Sequence, residues 1–170
     1  ELRQFLERIG AIKVFKNRFS LGDEEAKRVS DAIVEALENC SKTKTGALIV
    51  IEREMALDEY TKHACRIEAR ITSRLIENLF YEGSPLHDGA VVLKEDRIFA
   101  AGTVLPLSEN PNIDKSFGTR HRAAIGVTEI SDAISLIVSE ETGRISIAES
   151  GIIKRYDDVD EIRKMLVEYY

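Results

Sequence analysis

The run Gly46-Ala47-Leu48-Ile49-Val50-Ile51 carries no charge and is rich in β-branched residues, and Glu52, Arg53 and Glu54 close it. Such a run suits a strand buried on both faces. A strand of that kind needs a layer of structure on each side, and amphipathic patterns flank this one. Upstream, Asp23 reads as an N-cap with Glu24 and Glu25 in the first turn, and Val29, Ile33, Ala36 and Leu37 fall on one face; this predicts a helix running to about Asn39. Downstream, over 63–80, Ile67, Ile71, Leu75, Ile76 and Leu79 recur at helical spacing with Arg and Glu opposite, predicting a second amphipathic helix.

Residues 90–93 and 97–105 read as two strands joined through Glu95-Asp96, an antiparallel hairpin. A second hairpin joins 133–138 to 144–148 through Ser139-Glu140-Glu141-Thr142-Gly143, and a last helix covers 159–169. The order helix, strand, helix, hairpin, helix, hairpin, helix predicts an α/β fold of the α+β type: one domain with a central, mixed, twisted sheet flanked by helices. Residues 1–22 read as a linker or helix ahead of the domain at 23–170, and no repeat or low-complexity tract divides it.

With 170 residues, 44% of them hydrophobic, the chain can bury a core without disulfides or a structural metal. Cys40 and Cys65 fall in two different expected helices with no Cys-x-x-Cys partner, so they read as small core residues of a reducing compartment. A net charge of −6 opposes sequence-independent nucleic-acid binding, which relies on a basic surface, so any anion must be held locally. The longest uncharged run, 98–108, is about half the ~20 residues of a spanning helix, and no signal-peptide pattern opens the chain. The segment is expected to be soluble and cytoplasmic. Its start at Glu1 rather than Met suggests a processed or trimmed piece, with room for a membrane anchor upstream.

Three polar segments carry the chemistry. In Leu86-His87-Asp88-Gly89-Ala90, Asp-Gly is an ordinary turn dipeptide in which Asp bonds nearby backbone and Gly admits positive φ. The same residues also suit a site: Gly89 lets a substrate approach the backbone, and Asp88, at the mouth of a strand, can bind a metal or activate a hydroxyl. His87 can support either task as a neutral ligand. In Gly118-Thr119-Arg120-His121-Arg122, three potentially cationic side chains crowd the start of a helix continuing through Ala123, Ala124, Ile125 and Val127. Free backbone N–H groups and the positive helix end would add to them, forming a triphosphate cradle in which Arg grips phosphate oxygens with its planar fork. A solvated basic helix start paired with nearby Asp or Glu, with Thr119 as its N-cap, accounts for the same residues.

Ser139-Glu140-Glu141-Thr142-Gly143 is by itself a hairpin turn. Beside the other two segments, one of its Glu residues would complete a divalent-cation site with Asp88, and Ser139 would contact phosphate. The Gly-x-x-x-x-Gly-Lys-Ser/Thr loop, the Gly-x-Gly-x-x-Gly turn and the Gly-x-Ser-x-Gly elbow are all absent, so a phosphate site here is of another kind.

Taken together, Gly46-Ala47-Leu48-Ile49-Val50-Ile51-Glu52-Arg53-Glu54, Ser84-Pro85-Leu86-His87-Asp88-Gly89-Ala90, Leu105-Pro106-Leu107-Ser108, the Gly118 to Gly126 run and Val138-Ser139-Glu140-Glu141-Thr142-Gly143 make the chain resemble the catalytic domain of diadenylate cyclases over about residues 25–150. The segment 1–10 resembles the one that follows the transmembrane helices in the membrane-anchored class. The resemblance implies a nucleotidyltransferase that condenses two ATP molecules into cyclic di-3′,5′-AMP and two pyrophosphates with Mg²⁺ or Mn²⁺, working as a homodimer or higher homo-oligomer. It implies Asp88, Arg120, His121 and Arg122 as catalytic, and Gly89, Ala90, Leu105, Gly118, Thr119, Ser139 and Glu141 around ATP. Asp88, His87 and Glu140 would hold the metal. In one place the chain departs from the family: Val104 stands where many membrane-class members carry a Tyr that stacks on adenine. A nucleotide sensor without turnover and a metal-dependent phosphohydrolase built on His87-Asp88 are the other readings; only His63 and His121 remain as further histidines for the latter.

Overall fold

The structure, a computed structural model, describes residues 21–170. Expectations for residues 1–20, the linker and what precedes it, lie outside the described residues. The apolar run that opened the sequence reading is strand β1 (Ala47–Ile51), buried along its whole length. It is the central strand of a seven-stranded sheet of order β2-β4-β3-β1-β5-β6-β7, whose other members are β2 (Cys65–Arg70), β3 (Ala90–Lys94), β4 (Arg97–Thr103), β5 (Ile134–Val138), β6 (Ile145–Glu149) and β7 (Ile152–Tyr156). β1 runs parallel to β3, and the remaining neighbours are antiparallel. The expected mixed sheet flanked by helices is therefore the observed fold.

Period-two alternation distributes the apolar side chains to two cores. Ala47, Ile49, Ile51, Val91, Leu93, Ile134, Leu136 and Val138 face one side. There α1 (Asp23–Thr43) packs against α3 (Ser73–Phe80) and α5 (Val159–Tyr169). Leu48, Val50, Ala90, Val92 and Ile137 face the other side, covered by α4 (Thr119–Ile130). One further turn of helix, α2 (Asp58–Thr61), follows β1.

The structure differs from expectation in five places. Gly22, not Asp23, is the N-cap of α1. That helix also continues past Asn39 to Thr43, because Cys40 extends its buried face and Lys44 then closes it in the left-handed conformation (φ 52°). The helix expected over 63–80 divides in two. Residues 65–70 form edge strand β2, whose Arg66, Glu68 and Arg70 are exposed and whose Ile67 and Ala69 are half-buried. Helix α3 starts only after Thr72, whose hydroxyl accepts the Leu75 N–H. Cys65, on that strand, is exposed rather than a core residue, whereas Cys40 is buried. Finally, β7 was not expected; Ser150 (φ 50°) and Gly151 (φ 77°) turn the chain into it as a tight hairpin.

Candidate active site

Strand register brings the three polar segments to one end of the sheet. β1 and β3 are parallel with Ile49 opposite Val91, so the N-terminal ends of both strands lie level. Ala47 pairs with Val138 and Ala90 with Thr103, so the C-terminal ends of β5 and β4 arrive at the same edge. The segment 84–89 thus lies beside Gly46, beside 139–143 and beside the chain leaving β4. α4 enters this end by its N-terminus, which Gly118 caps without a side-chain hydrogen bond. Its first N–H groups are left to an anion or to water.

Arg120 ties the segments together. Its Nη1 donates to Glu140 Oε2 at 2.9 Å and its Nη2 to the His87 carbonyl at 3.5 Å, while its Nε is buried and has no partner among the described residues. Asp88 projects outward with its side chain 89% exposed, 3.5 Å from His87 Nε2. The other His87 nitrogen, Nδ1, lies 2.6 Å from the Ser84 carbonyl, which only accepts, so Nδ1 carries a proton and Nε2 is the nitrogen turned toward the Asp88 carboxylate. An imidazole nitrogen that has given up its proton, next to an open carboxylate, is a donor set that fits a divalent cation completed by phosphate oxygens. Among the described residues, no group of three or more His, Cys, Asp or Glu side chains is gathered to hold an ion unaided. Glu140, expected to join that set, gives a carboxylate oxygen to Arg120 instead.

Gly89 meets a steric demand of the fold. It adopts φ +92°, and a Cβ there would lie 2.8 Å from the Thr103 carbonyl, so it allows the Asp88 turn to press against β4. Ala90 is fully buried. Ser139 builds its own turn, its hydroxyl accepting the N–H groups of Glu141 and Thr142 at 3.3 and 3.2 Å. Glu141 is exposed at the tip.

The Arg-His-Arg run divides by side chain. His121 is only 7% exposed and stacks on Phe117 at 4.6 Å between centroids. Burial, together with the nearby Arg155 and Arg120 charges, holds its pKa below the ordinary imidazole value, so it is neutral near pH 7 and the expected third cation is lost. Arg122 is half-buried, and among the described residues its guanidinium has no hydrogen-bond or ion-pair partner. Thr119 is the exposed first residue of α4, not its cap.

Leu105 is buried against α4 with Ala123 and Ala124, whereas Val104 beside it is 82% exposed. The Leu-Pro-Leu-Ser segment is fastened to α4: the Ser108 N–H donates to the Arg122 carbonyl (3.0 Å) and its hydroxyl to Glu129 (2.6 Å). A Cβ on Gly126 would lie 2.0 Å from the Pro106 carbonyl. Sequence reasoning missed Gly46, Gly126 and Phe117 as parts of this site. Phe117 gave an available signal, an aromatic four residues before His121 across the helix start.

Comparison with known proteins bears on this end of the sheet. The family model described as DisA bacterial checkpoint controller nucleotide-binding, DAC, matches residues 34–153. The chain is 40% identical over 166 residues to the cyclic di-AMP synthase CdaA of Bacillus subtilis, covering 98% of this chain and 61% of that protein. It is 38% identical over 168 residues to a diadenylate cyclase of Listeria monocytogenes, covering 99% and 62%. The chain thus spans about three-fifths of the length of these relatives. Among solved structures, a double mutant of DacA from Staphylococcus aureus superimposes with a TM-score of 0.83 at 38% identity, over 86% of this chain and 97% of that one. A Bacillus cereus protein described as a hypothetical membrane spanning protein does so with a TM-score of 0.74 at 46% identity, over 76% and 63%.

Proposed function

We propose that this chain, which belongs to the DAC family of nucleotide-binding domains, is the catalytic domain, residues 23–170, of a diadenylate cyclase. The observation that carries this reading is the Arg120 bridge. It holds the Asp88 segment and the Glu140 turn at the mouth of an uncapped helix N-terminus, in a chain 40% identical to a cyclic di-AMP synthase.

In the proposed reaction the 3′-oxygen of one ATP attacks the α-phosphorus of a second, the bond to pyrophosphate breaks, and the hydroxyl proton passes to the Asp88 carboxylate. A second attack in the opposite sense closes the ring, so two ATP give one cyclic dinucleotide and two pyrophosphates. Arg120, Arg122, Thr119 and the first N–H groups of α4 receive the triphosphate, lowering the charge on the leaving group. Asp88 and His87 Nε2 would hold Mg²⁺ or Mn²⁺, which when bound would supply charge neutralisation at the phosphoryl oxygens. In this reading the Asp88 carboxylate would both help hold the cation and take the hydroxyl proton. The exposed face of Val104 lies where the base would rest.

A two-fold symmetric product needs two sites facing each other, and the exposure of Asp88 leaves this end of the sheet open to a second copy. The proposed assembly is therefore a homodimer or higher homo-oligomer. Among the described residues no helix is long and apolar enough to cross a membrane. The proposed setting is the cytoplasm, with any membrane anchor outside this chain.

The test is incubation with ATP and Mn²⁺ or Mg²⁺, with products followed by liquid chromatography and mass detection, Asp88→Asn alongside. Cyclic di-AMP from the wild type, and at least ~100-fold less from the variant, is expected. ADP or AMP alone would indicate a hydrolase, and bound but unchanged ATP a sensor.

A further inference from the structure

We propose that Gly46 is a positioning residue for Arg120, its missing side chain forming the slot that holds the guanidinium between the Asp88 and Glu140 segments. This rests on the reading of that end of the sheet as a cyclase site. Gly46 is buried and is not among the glycines of positive φ, so no backbone requirement excludes a side chain there. Space excludes it. A Cβ on Gly46 would lie 2.5 Å from Arg120 Nη1, 2.9 Å from its Cζ and 3.1 Å from Glu140 Cβ. The guanidinium passes over the Gly46 backbone, and from there one arm reaches the Glu140 carboxylate at 2.9 Å and the other the His87 carbonyl at 3.5 Å. The buried Nε, without a partner among the described residues, shows how closely the slot encloses it.

Two properties make this a positioning device. First, the two segments that Arg120 joins come from different strand ends, so displacing the guanidinium releases both at once, including the one that carries Asp88. Second, the two atoms a methyl would strike hardest, Arg120 Nη1 and Cζ, are the far end of a flexible side chain, and Glu140 Cβ at 3.1 Å has to give by only a few tenths of an ångström, so Gly46→Ala is expected to move Arg120 while leaving the strand and its cores in place. Misplacement of a reacting group by about 1 Å is enough to lower turnover on the order of 100-fold.

The direct experiment reads Arg120 itself. In protein labelled with ¹⁵N-arginine, the Arg120 Nε–H resonance, assigned by its loss in Arg120→Ala, is expected to exchange slowly with solvent, and at least ~10-fold faster in Gly46→Ala at an unchanged melting temperature. An unaltered resonance in Gly46→Ala overturns the proposal, whatever reaction the protein catalyses. The functional arm is a mutant cycle. Gly46→Ala is expected to lower kcat for cyclic di-AMP by ~10- to 100-fold in the wild-type background and by less than about twofold in Arg120→Ala. Equal losses in both backgrounds would show that Gly46 acts independently of Arg120 and would also overturn it. Absence of cyclic product from the wild type would instead sink the cyclase reading, and the exchange measurement would still decide the role of Gly46.

Discussion

His121 lies between two arginines in sequence, yet its ring turns into the protein and stacks on Phe117, with the Arg155 guanidinium over the Phe117 ring at 5.4 Å from its centroid. Burial is the largest cause of its lowered pKa, and the Arg155 and Arg120 charges act in the same direction. In the unfolded chain the imidazole binds a proton at its ordinary value near 6.5. The folded ring resists that proton to lower pH, so below about 6.5 the unfolded state binds more protons and stability falls with pH. The stability is fully present above that value and is lost as pH drops through the folded pKa. His121→Phe keeps an aromatic ring against Phe117 and has nothing to protonate. Melting temperatures measured between pH 7.5 and pH 5.5 are therefore expected to fall more steeply for the wild type than for His121→Phe, since the carboxylates and other histidines are common to both. Parallel curves would mean that this ring is not a buried neutral base.

Among the elements, α4 and the segment leaving β4 work as one unit, because Gly126 lets the helix approach the Pro106 carbonyl closely and Ser108 bonds to the Arg122 carbonyl and Glu129. The obstacle here is backbone, not the end of a side chain. Gly126→Ala is accordingly expected to cost about 1–3 kcal/mol in denaturant unfolding and to weaken ATP binding by pushing Val104 and Leu105 away from α4. A variant with wild-type stability and affinity would show that the segment is not fastened there. This coupling was not legible in the sequence, since a glycine in a helix looks the same whether it faces solvent or another backbone. Other elements were. The apolar run of β1, the Glu95-Asp96 hairpin and the Val159–Tyr169 helix were all read from composition, periodicity and turn residues, and chemical type put forward Asp88 and Arg120, whose segments the fold brings to one end of the sheet. The 63–80 error has a physical cause: Arg66-Ile67-Glu68-Ala69-Arg70-Ile71 alternates with period two, yet Ile67, Ile71 and Leu75 also match a helical spacing. Only pairing with β4, with Glu68 at φ 52° beside a shift of register, decides between the two. The partner of Glu140 was equally hidden, because sequence shows which charges are present and not which of them meet.

For the molecule as a whole, the proposed reaction makes symmetry a kinetic variable. Each ring closure needs two attacks, and each attack uses the Asp88 of one copy. A dimer with a single functional Asp88 forms one phosphodiester bond, releases one pyrophosphate and stops at a linear dinucleotide that keeps one 5′-triphosphate and one free 3′-hydroxyl. Mixing wild-type chain with a ninefold excess of Asp88→Asn should then reduce cyclic di-AMP per wild-type chain to about one tenth by random pairing, with the linear species rising in its place. Mass detection separates the two products, and equilibration before ATP is added lets the copies exchange. A linear product that accumulates only in the mixture would place one essential carboxylate on each side of a shared site. Cyclic product per wild-type chain that ignores the added variant would mean that one copy carries out both attacks, and the face-to-face arrangement would be discarded.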